Sequence, residues 1–351
     1  CCRPAFSEDL PMIYRCWSSL RAAAVLKHIE ALAPPTMLGS LPGRSAPAVW
    51  YSLQAMIEQC LQDGDSCSGV VTDLIKAFNG LPREPIFRAA IQIGISPQII
   101  RAWVGAVTGI TRHFYVRGEP GPGIKSCTGF PEGCPLSVAA MCLCNMLIHS
   151  FMSVRCPRTM MISYVDNVEL LSNVPADAVE SIDILSSFTE FLGVPTDPKK
   201  TYTWSLDTSS RKMLRQAEQT VKRNQPDLGA HLQYSGQQTN GTVKKKCQDL
   251  QNLWARLAQS QAPLQHKYKV LTAVAWPRAF HSASTVHLTD SLVQELRAGA
   301  MKGLRLDKAG ANAVLQFSLS TNTMLDPGYF LLWDSLSQFK RFANLDVAHV
   351  V

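Results

Sequence analysis

Apolar and polar residues alternate over two short runs, Met160–Tyr164 and Val168–Leu171, that flank Val165-Asp166-Asn167. A period of two predicts a β-hairpin with its polar residues at the tip. A third run, Ser68-Gly69-Val70-Val71-Thr72, predicts a strand that ends in Asp73. Thr111–Arg117 and Thr201–Leu206 read as further strands. Elsewhere the apolar period lengthens towards 3.6. It predicts helices over 8–33, closed by Pro34-Pro35, and over Ala48–Leu61. Two more run from Pro82 to a stop at Gly94 and over Pro97–Val107, and Asp177–Leu192 ends at Gly193. Past Lys244-Lys245-Lys246 the pattern is mostly helical, with one stripe through Leu250, Leu253, Trp254 and Leu257 and another through Leu292, Leu296 and Met301. This order predicts an α+β core followed by a helical C-terminal region.

Val138–Val154 is apolar enough to mimic a membrane span. Asn145 and His149 interrupt it and Pro135 suits a helix N1 position, so a buried core helix is expected and no membrane partner. Charged residues make up 17% of the 351 and hydrophobic ones 46%, which excludes extensive disorder. The net charge of +7 suits a polyanionic partner. Eleven cysteines without a C-x-x-C pair argue against zinc and for reduced thiols, hence an intracellular protein of the nucleus or cytoplasm. The start at Cys1-Cys2-Arg3-Pro4 reads as part of a longer chain.

Asp73 and Asp166 are the candidate chemistry. Two carboxylates from separate strands, if brought together, supply the hard oxygen ligands that Mg²⁺ prefers, and two such ions clamp the oxygens of phosphoryl transfer. Taken alone, Asp73 also suits a helix cap and Asp166 a turn. Gly129-Phe130-Pro131-Glu132-Gly133-Cys134-Pro135-Leu136-Ser137 is a glycine/proline loop leading into the apolar helix.

Asp73-Leu74-Ile75-Lys76-Ala77-Phe78, the Gly129–Ser137 loop and Tyr164-Val165-Asp166-Asn167, in that order, resemble the palm motifs of reverse transcriptases, closest in flavour to non-LTR retrotransposon (LINE-like) enzymes. Phe191–Val194 through Pro198–Thr201 resembles the next palm motif, and Leu228-Gly229-Ala230-His231-Leu232 the primer grip. Tyr14–Trp17 and Pro42-Gly43-Arg44-Ser45 resemble pieces of the fingers. The resemblance implies a right-hand polymerase, with partial fingers over 1–66, a ferredoxin-like palm over 67–240 that carries finger-side insertions at 82–128, and a helical thumb over 241–351.

It also implies roles. Asp73 and Asp166 would bind two Mg²⁺ ions, with Mn²⁺ as a substitute, joined by the backbone at Leu74 and by Asn167. Phe78 would exclude a 2′-hydroxyl. Gly129, Pro131, Glu132 and Gly133 would contact the nucleotide, and Lys200 would act on the triphosphate. Tyr164, Leu228, Gly229 and Arg44 would touch primer or other nucleic acid. The implied partners are an RNA template, a DNA primer, dNTPs and other domains of a retroelement polyprotein. The chain departs from the family at Asn167, where a second Asp is usual, at Glu132, where Gln is common, and in its incomplete fingers. Two readings therefore stand: a working RNA-directed DNA polymerase, and a degenerate relative that binds nucleic acid or a protein partner.

Overall fold

The computed structural model describes residues 5–6, 10–116, 119–228, 230–234, 241–283, 288–319 and 323–344. Its centre is a four-stranded antiparallel sheet built from β1 (Ser68–Asp73), β2 (Met160–Tyr164), β3 (Asn167–Ser172) and β4 (Tyr202–Ser205). The strands lie in the order β2-β3-β1-β4. Helices separate β1 from β2 and β3 from β4, so the chain follows the split βαββαβ path of ferredoxin-like folds. Pairing sets Asp73 opposite Asn167 and Val71 opposite Glu169 across β1 and β3, while Tyr164 faces Asn167 across the hairpin.

Because side chains alternate, this register sorts the sheet into two faces. Val70, Val168, Leu170 and Met161 point into the main hydrophobic core. Asp73 and Asn167 lie on the other face, with the buried residues Val71, Glu169, Ile162, Tyr202 and Trp204. Glu169 is only 2% exposed, inside the sheet rather than at the hairpin tip.

The longer helices that precede or connect these strands are α1 (Met12–Glu30), α2 (Ala46–Asp63), α3 (Arg83–Gln92), α4 (Pro97–Thr108), α5 (Pro135–Arg155) and α6 (Pro175–Phe191). Pro135 is the first residue of α5, where a missing N–H costs nothing. α5 is long and apolar enough to cross a membrane by composition, yet Leu136, Ala140, Leu143, Ile148 and Met152 are buried in the core against α1, α3 and α6. The expected core helix is what forms. The run read as one strand over Thr111–Arg117 is instead two short strands, Thr111–Arg112 and Phe114–Val116, with Arg117 outside the described residues.

Two compact units divide the chain, 1–49 with 60–221 and 50–59 with 222–351. This grouping differs from the three segments read from the sequence. The buried face of α1 (Ala22, Val25, Ile29) shares one core with the helices around the sheet. The second unit has its own core around Trp254, Trp276, Phe280, Leu296 and Phe330.

In the second unit, Asp326 caps the helix Pro327–Ala343 by accepting from Gly328 N at 2.8 Å and Tyr329 N at 3.3 Å. Arg297 also grips the carboxylate through Nε at 2.8 Å and Nη2 at 2.9 Å. Burial alone would raise this carboxyl's pKa, and the Arg297 bonds and charge hold it below the usual range instead. Asp326→Ala strands a largely buried guanidinium and removes a cap, so the loss expected in urea titration is about 3–5 kcal/mol. A loss under about 1 kcal/mol, the level of an exposed pair, contradicts this account.

Candidate active site

Several hydrogen bonds fix the place where β1 meets the β2–β3 hairpin. Leu74 N donates to Asp166 O at 2.9 Å, and Asp197 N donates to Asp73 O at 2.7 Å. The end of β1 is thus tied to the hairpin turn on one side and to the 195–200 segment on the other. The turn consists of Val165 and Asp166. Asn167 is already the first residue of β3, so the tip carries one polar and one apolar residue rather than the Asp-Asn pair expected. The reason is register: the Tyr164–Asn167 pair closes a two-residue loop.

Asn167 and Asp73 are directly opposite each other, which places their Cβ atoms about 5 Å apart on one face. The Lys200 ammonium is paired with Asp73 Oδ2. Asp73 is 9% exposed, whereas the Lys200 side chain is 62% exposed. The hydrogen bond to Asp73 raises the Lys200 pKa. Asp166 also has a raised pKa, first through burial and further through the charge of Asp73. The two carboxylates are therefore close enough to act on each other.

No group of three or more His, Cys, Asp or Glu side chains converges among the described residues. The donor set at this point is two carboxylates and the Asn167 amide. All are hard oxygen donors, and the mutual repulsion of Asp73 and Asp166 is what a divalent cation relieves. They fit Mg²⁺ or Mn²⁺.

The glycine/proline loop lies against the segment after β1. Gly129 N donates to Leu81 O at 2.9 Å, and Phe130 N donates to Phe78 O at 2.8 Å. Gly129 has φ +74°, and a Cβ there would press against the Asn79 backbone, so no other residue fits without displacing one segment. Arg83 fastens the loop by donating to the carbonyls of Ser126 (2.7 Å), Thr128 (3.1 Å) and Gly129 (2.8 Å). Phe78 thereby comes beside Pro131, Glu132, Gly133, Pro135 and Val138, which line a cavity of about 430 Å³. Asn79 donates to Glu132 Oε1 across the same junction at 3.1 Å.

The Arg44 guanidinium donates to the carbonyls of Glu30, Pro34 and Met37, so it braces the loop after α1. Leu228 is in the second unit, at the turn between Asn224–Asp227 and Ala230–Gln233, with φ +45°. Gly229 lies outside the described residues. Arg211 is buried and donates to Ser205 O, Leu206 O and Thr208 Oγ1, a structural use of its charge.

Three supports went unseen in the sequence: Gly39, Arg83 and Asn145. A Cβ on Gly39 would overlap Val165 N and come within 2.9 Å of Tyr164 C, so the 36–41 segment lies flush against the hairpin turn. Asn145 on α5 donates to Val165 O at 2.8 Å. The only signal was that Asn145 and His149 interrupt an apolar helix.

The family model described as reverse transcriptase (RNA-dependent DNA polymerase) matches residues 9–220. The chain belongs to the reverse transcriptase family. The matched stretch of reverse transcriptase sequence closes one residue before the first compact unit does. No curated protein matches the chain.

Among solved structures, apo telomerase from Candida tropicalis truncated from its C-terminal domain is similar at a TM-score of 0.48 and 13% identity, over 63% of this chain and 45% of that one. Telomerase from Candida albicans in complex with a TWJ fragment of telomeric RNA gives 0.48 at 10% identity, over 92% of this chain and 59% of that one. Untruncated apo telomerase from Candida tropicalis gives 0.47 at 10% identity, over 95% and 60%. The chain spans roughly half the length of these structures.

His149 gives the hairpin a pH dependence. Its Nε2 lies 2.9 Å from Ser163 Oγ on β2, and burial, aided by the Arg44 charge, lowers its pKa to about 4. The folded state holds the ring neutral, while the unfolded chain takes up a proton near pH 6.5. This contribution is complete above about pH 6.5 and disappears as pH falls towards 4. Urea titrations should show about 2 kcal/mol less stability at pH 5 than at pH 7, a slope that His149→Gln flattens. An equal pH slope in the two proteins contradicts this.

Proposed function

We propose that the chain is an RNA-directed DNA polymerase domain, of non-LTR retroelement type, that extends a primer 3′-hydroxyl with dNTPs and releases pyrophosphate. The observation that carries this reading is the meeting of Asp73, Asp166 and Asn167 at one end of the sheet in a chain of the reverse transcriptase family. In this reading the sheet unit is the palm. Asp73 and Asp166 would hold two Mg²⁺ ions, with the Asn167 amide and the Leu74 backbone completing the set. Bound there, the ions would supply activation of the primer hydroxyl and neutralisation of the leaving pyrophosphate.

The protein's own groups do the rest. Lys200, exposed and tethered to Asp73, stands ready to donate to a phosphate oxygen. Phe78 supplies an apolar wall that leaves no room or partner for a ribose 2′-hydroxyl, and this selects dNTPs. Gly133, with φ +81° and nothing within 4 Å of a would-be Cβ, offers open backbone to a nucleotide. RNA template, DNA primer and dNTPs are the partners that this chemistry requires.

Primer extension on poly(rA)/oligo(dT) with Mg²⁺ or Mn²⁺ tests the proposal. Extension that Asp73→Ala abolishes is the expected result. No extension by the folded chain, or extension indifferent to that substitution, overturns it.

Asn167→Asp is the finer probe. A carboxylate opposite Asp73 adds like-charge repulsion without metal and a stronger ligand with it. The variant should melt lower in EDTA and need several-fold less Mg²⁺ for half-maximal extension, as order of magnitude. An unchanged or higher Mg²⁺ requirement would remove Asn167 from the ligand set.

A further inference from the structure

The hairpin turn has an unusual backbone. Val165 sits at φ +58°, the left-handed region. A β-branched residue there pays a steric cost of about 1–3 kcal/mol, and such a conformation persists only where its surroundings impose it. Asp166 follows directly, so whatever holds Val165 also sets the position of that carboxylate.

The contacts that hold it come from two segments. The 36–41 segment lies along β2: Ser163 N donates to Thr36 O at 3.1 Å, and Leu38 N donates to Ser163 O at 2.8 Å. Gly39 then presses on the turn where no side chain fits. From α5 come Cys142, Asn145 and His149, spaced to share one helix face. Cys142 Sγ donates to Gly39 O at 3.7 Å, Asn145 Nδ2 to Val165 O at 2.8 Å, and His149 pairs with Ser163 Oγ at 2.9 Å.

Of these three, Asn145 alone bonds to the strained residue. It is 1% exposed, and its Oδ1 is buried without a hydrogen-bond partner among the described residues. An apolar residue there would leave Val165 O without this donor. The polarity of Asn145 is spent on Val165 O. The same helix begins in the glycine/proline loop that forms the wall of the 430 Å³ cavity. One rigid element therefore links that wall to the carboxylate turn.

We infer that Asn145 is a positioning residue: it holds Val165 in its left-handed conformation and so places the Asp166 carboxylate beside Asp73. Its catalytic consequence rests on the polymerase reading above, but the conformational claim does not. The test is a double-mutant cycle of Asn145→Leu with Val165→Gly. Glycine adopts φ +58° at no steric cost, so it should make the Asn145 amide dispensable.

Thermal melting in EDTA reads the conformational part. Asn145→Leu should lower the melting temperature, and Val165→Gly added to it should recover at least half of that loss. Mn²⁺ binding, followed by the EPR signal of the free ion, reads the consequence. Asn145→Leu should bind about tenfold more weakly, with substantial recovery in the double variant. Native-like melting and Mn²⁺ binding by Asn145→Leu would overturn the inference, as would an absence of rescue in both readouts. If Asn145→Leu alone is insoluble, a soluble double variant is the same rescue. If both are insoluble while Val165→Gly is soluble, Asn145 acts in general packing and the inference falls. A native chain that binds no Mn²⁺ sinks the metal-site reading, and the EDTA cycle still decides the role of Asn145.

Discussion

Asp73→Asn should lower primer extension about a thousandfold while the protein melts within a few degrees of the parent. The substitution keeps shape and removes one charge at the end of β1. Its effect on chemistry is large because a carboxylate that binds the reaction's cations stabilises charge that develops only in the transition state, worth several kcal/mol at about 1.4 kcal/mol per tenfold. Its effect on folding is small for three reasons. Lys200 is 62% exposed and is re-solvated by water. The backbone bonds Asp197 N to Asp73 O and Leu74 N to Asp166 O do not involve the side chain. Removal of the Asp73 charge also relieves Asp166, whose pKa it helps to raise. The Asp166 pKa should accordingly move down in the variant, a shift that carboxyl NMR can follow. Equal extension by parent and variant, or a variant that no longer folds, contradicts this division of roles.

Gly39→Ala should lower extension about a hundredfold although residue 39 touches no substrate in the proposed reading. The added methyl would overlap Val165 N and crowd Tyr164 C at 2.9 Å, and both are backbone atoms that cannot rotate away. The turn must therefore move by roughly 1 Å, and a displacement of that size at reacting groups costs about a hundredfold. Overpacking of this kind also costs about 1–3 kcal/mol of stability. In the proposed reading, binding of primer–template should stay within about threefold. The expected pattern is a fall in kcat with template affinity retained. A loss confined to affinity would mean that the 36–41 segment serves the nucleic acid rather than the turn.

Much of the architecture was legible in the chain. The period-two runs around 160–171 and 68–73 and the 3.6-residue stripes of 8–33 and 177–192 correspond to real strands and helices, because alternation of exposure is a local property that each segment writes into its own sequence. The apolar helix was legible as a core element for the same reason: Asn145 and His149 interrupt it and Pro135 starts it. The ordered motifs around Asp73, Gly129–Ser137 and Asp166 pointed to reverse transcriptases, and the family match over 9–220 agrees with them.

What the chain could not announce depends on distant segments meeting. Arg44 reads as an exposed cation in a loop, and only folding brings the Glu30, Pro34 and Met37 carbonyls around it. Glu169 reads as a hairpin residue, and only the register with Val71 and Ile162 buries it. Gly39 reads as a loop glycine until the turn of β2 and β3 lies against it.

The sequence by itself thus determined the elements, their order and the two carboxylates that end β1 and sit in the hairpin turn. Tertiary structure alone decided that Asn167 faces Asp73, that Lys200 pairs with it, and that Gly39 and Asn145 both meet Val165. The physical reason is range. Periodicity and turn chemistry act over a few neighbouring residues, whereas a site assembled from residues 39, 73, 145, 166 and 200 exists only after long loops have closed and one sheet register has excluded the others.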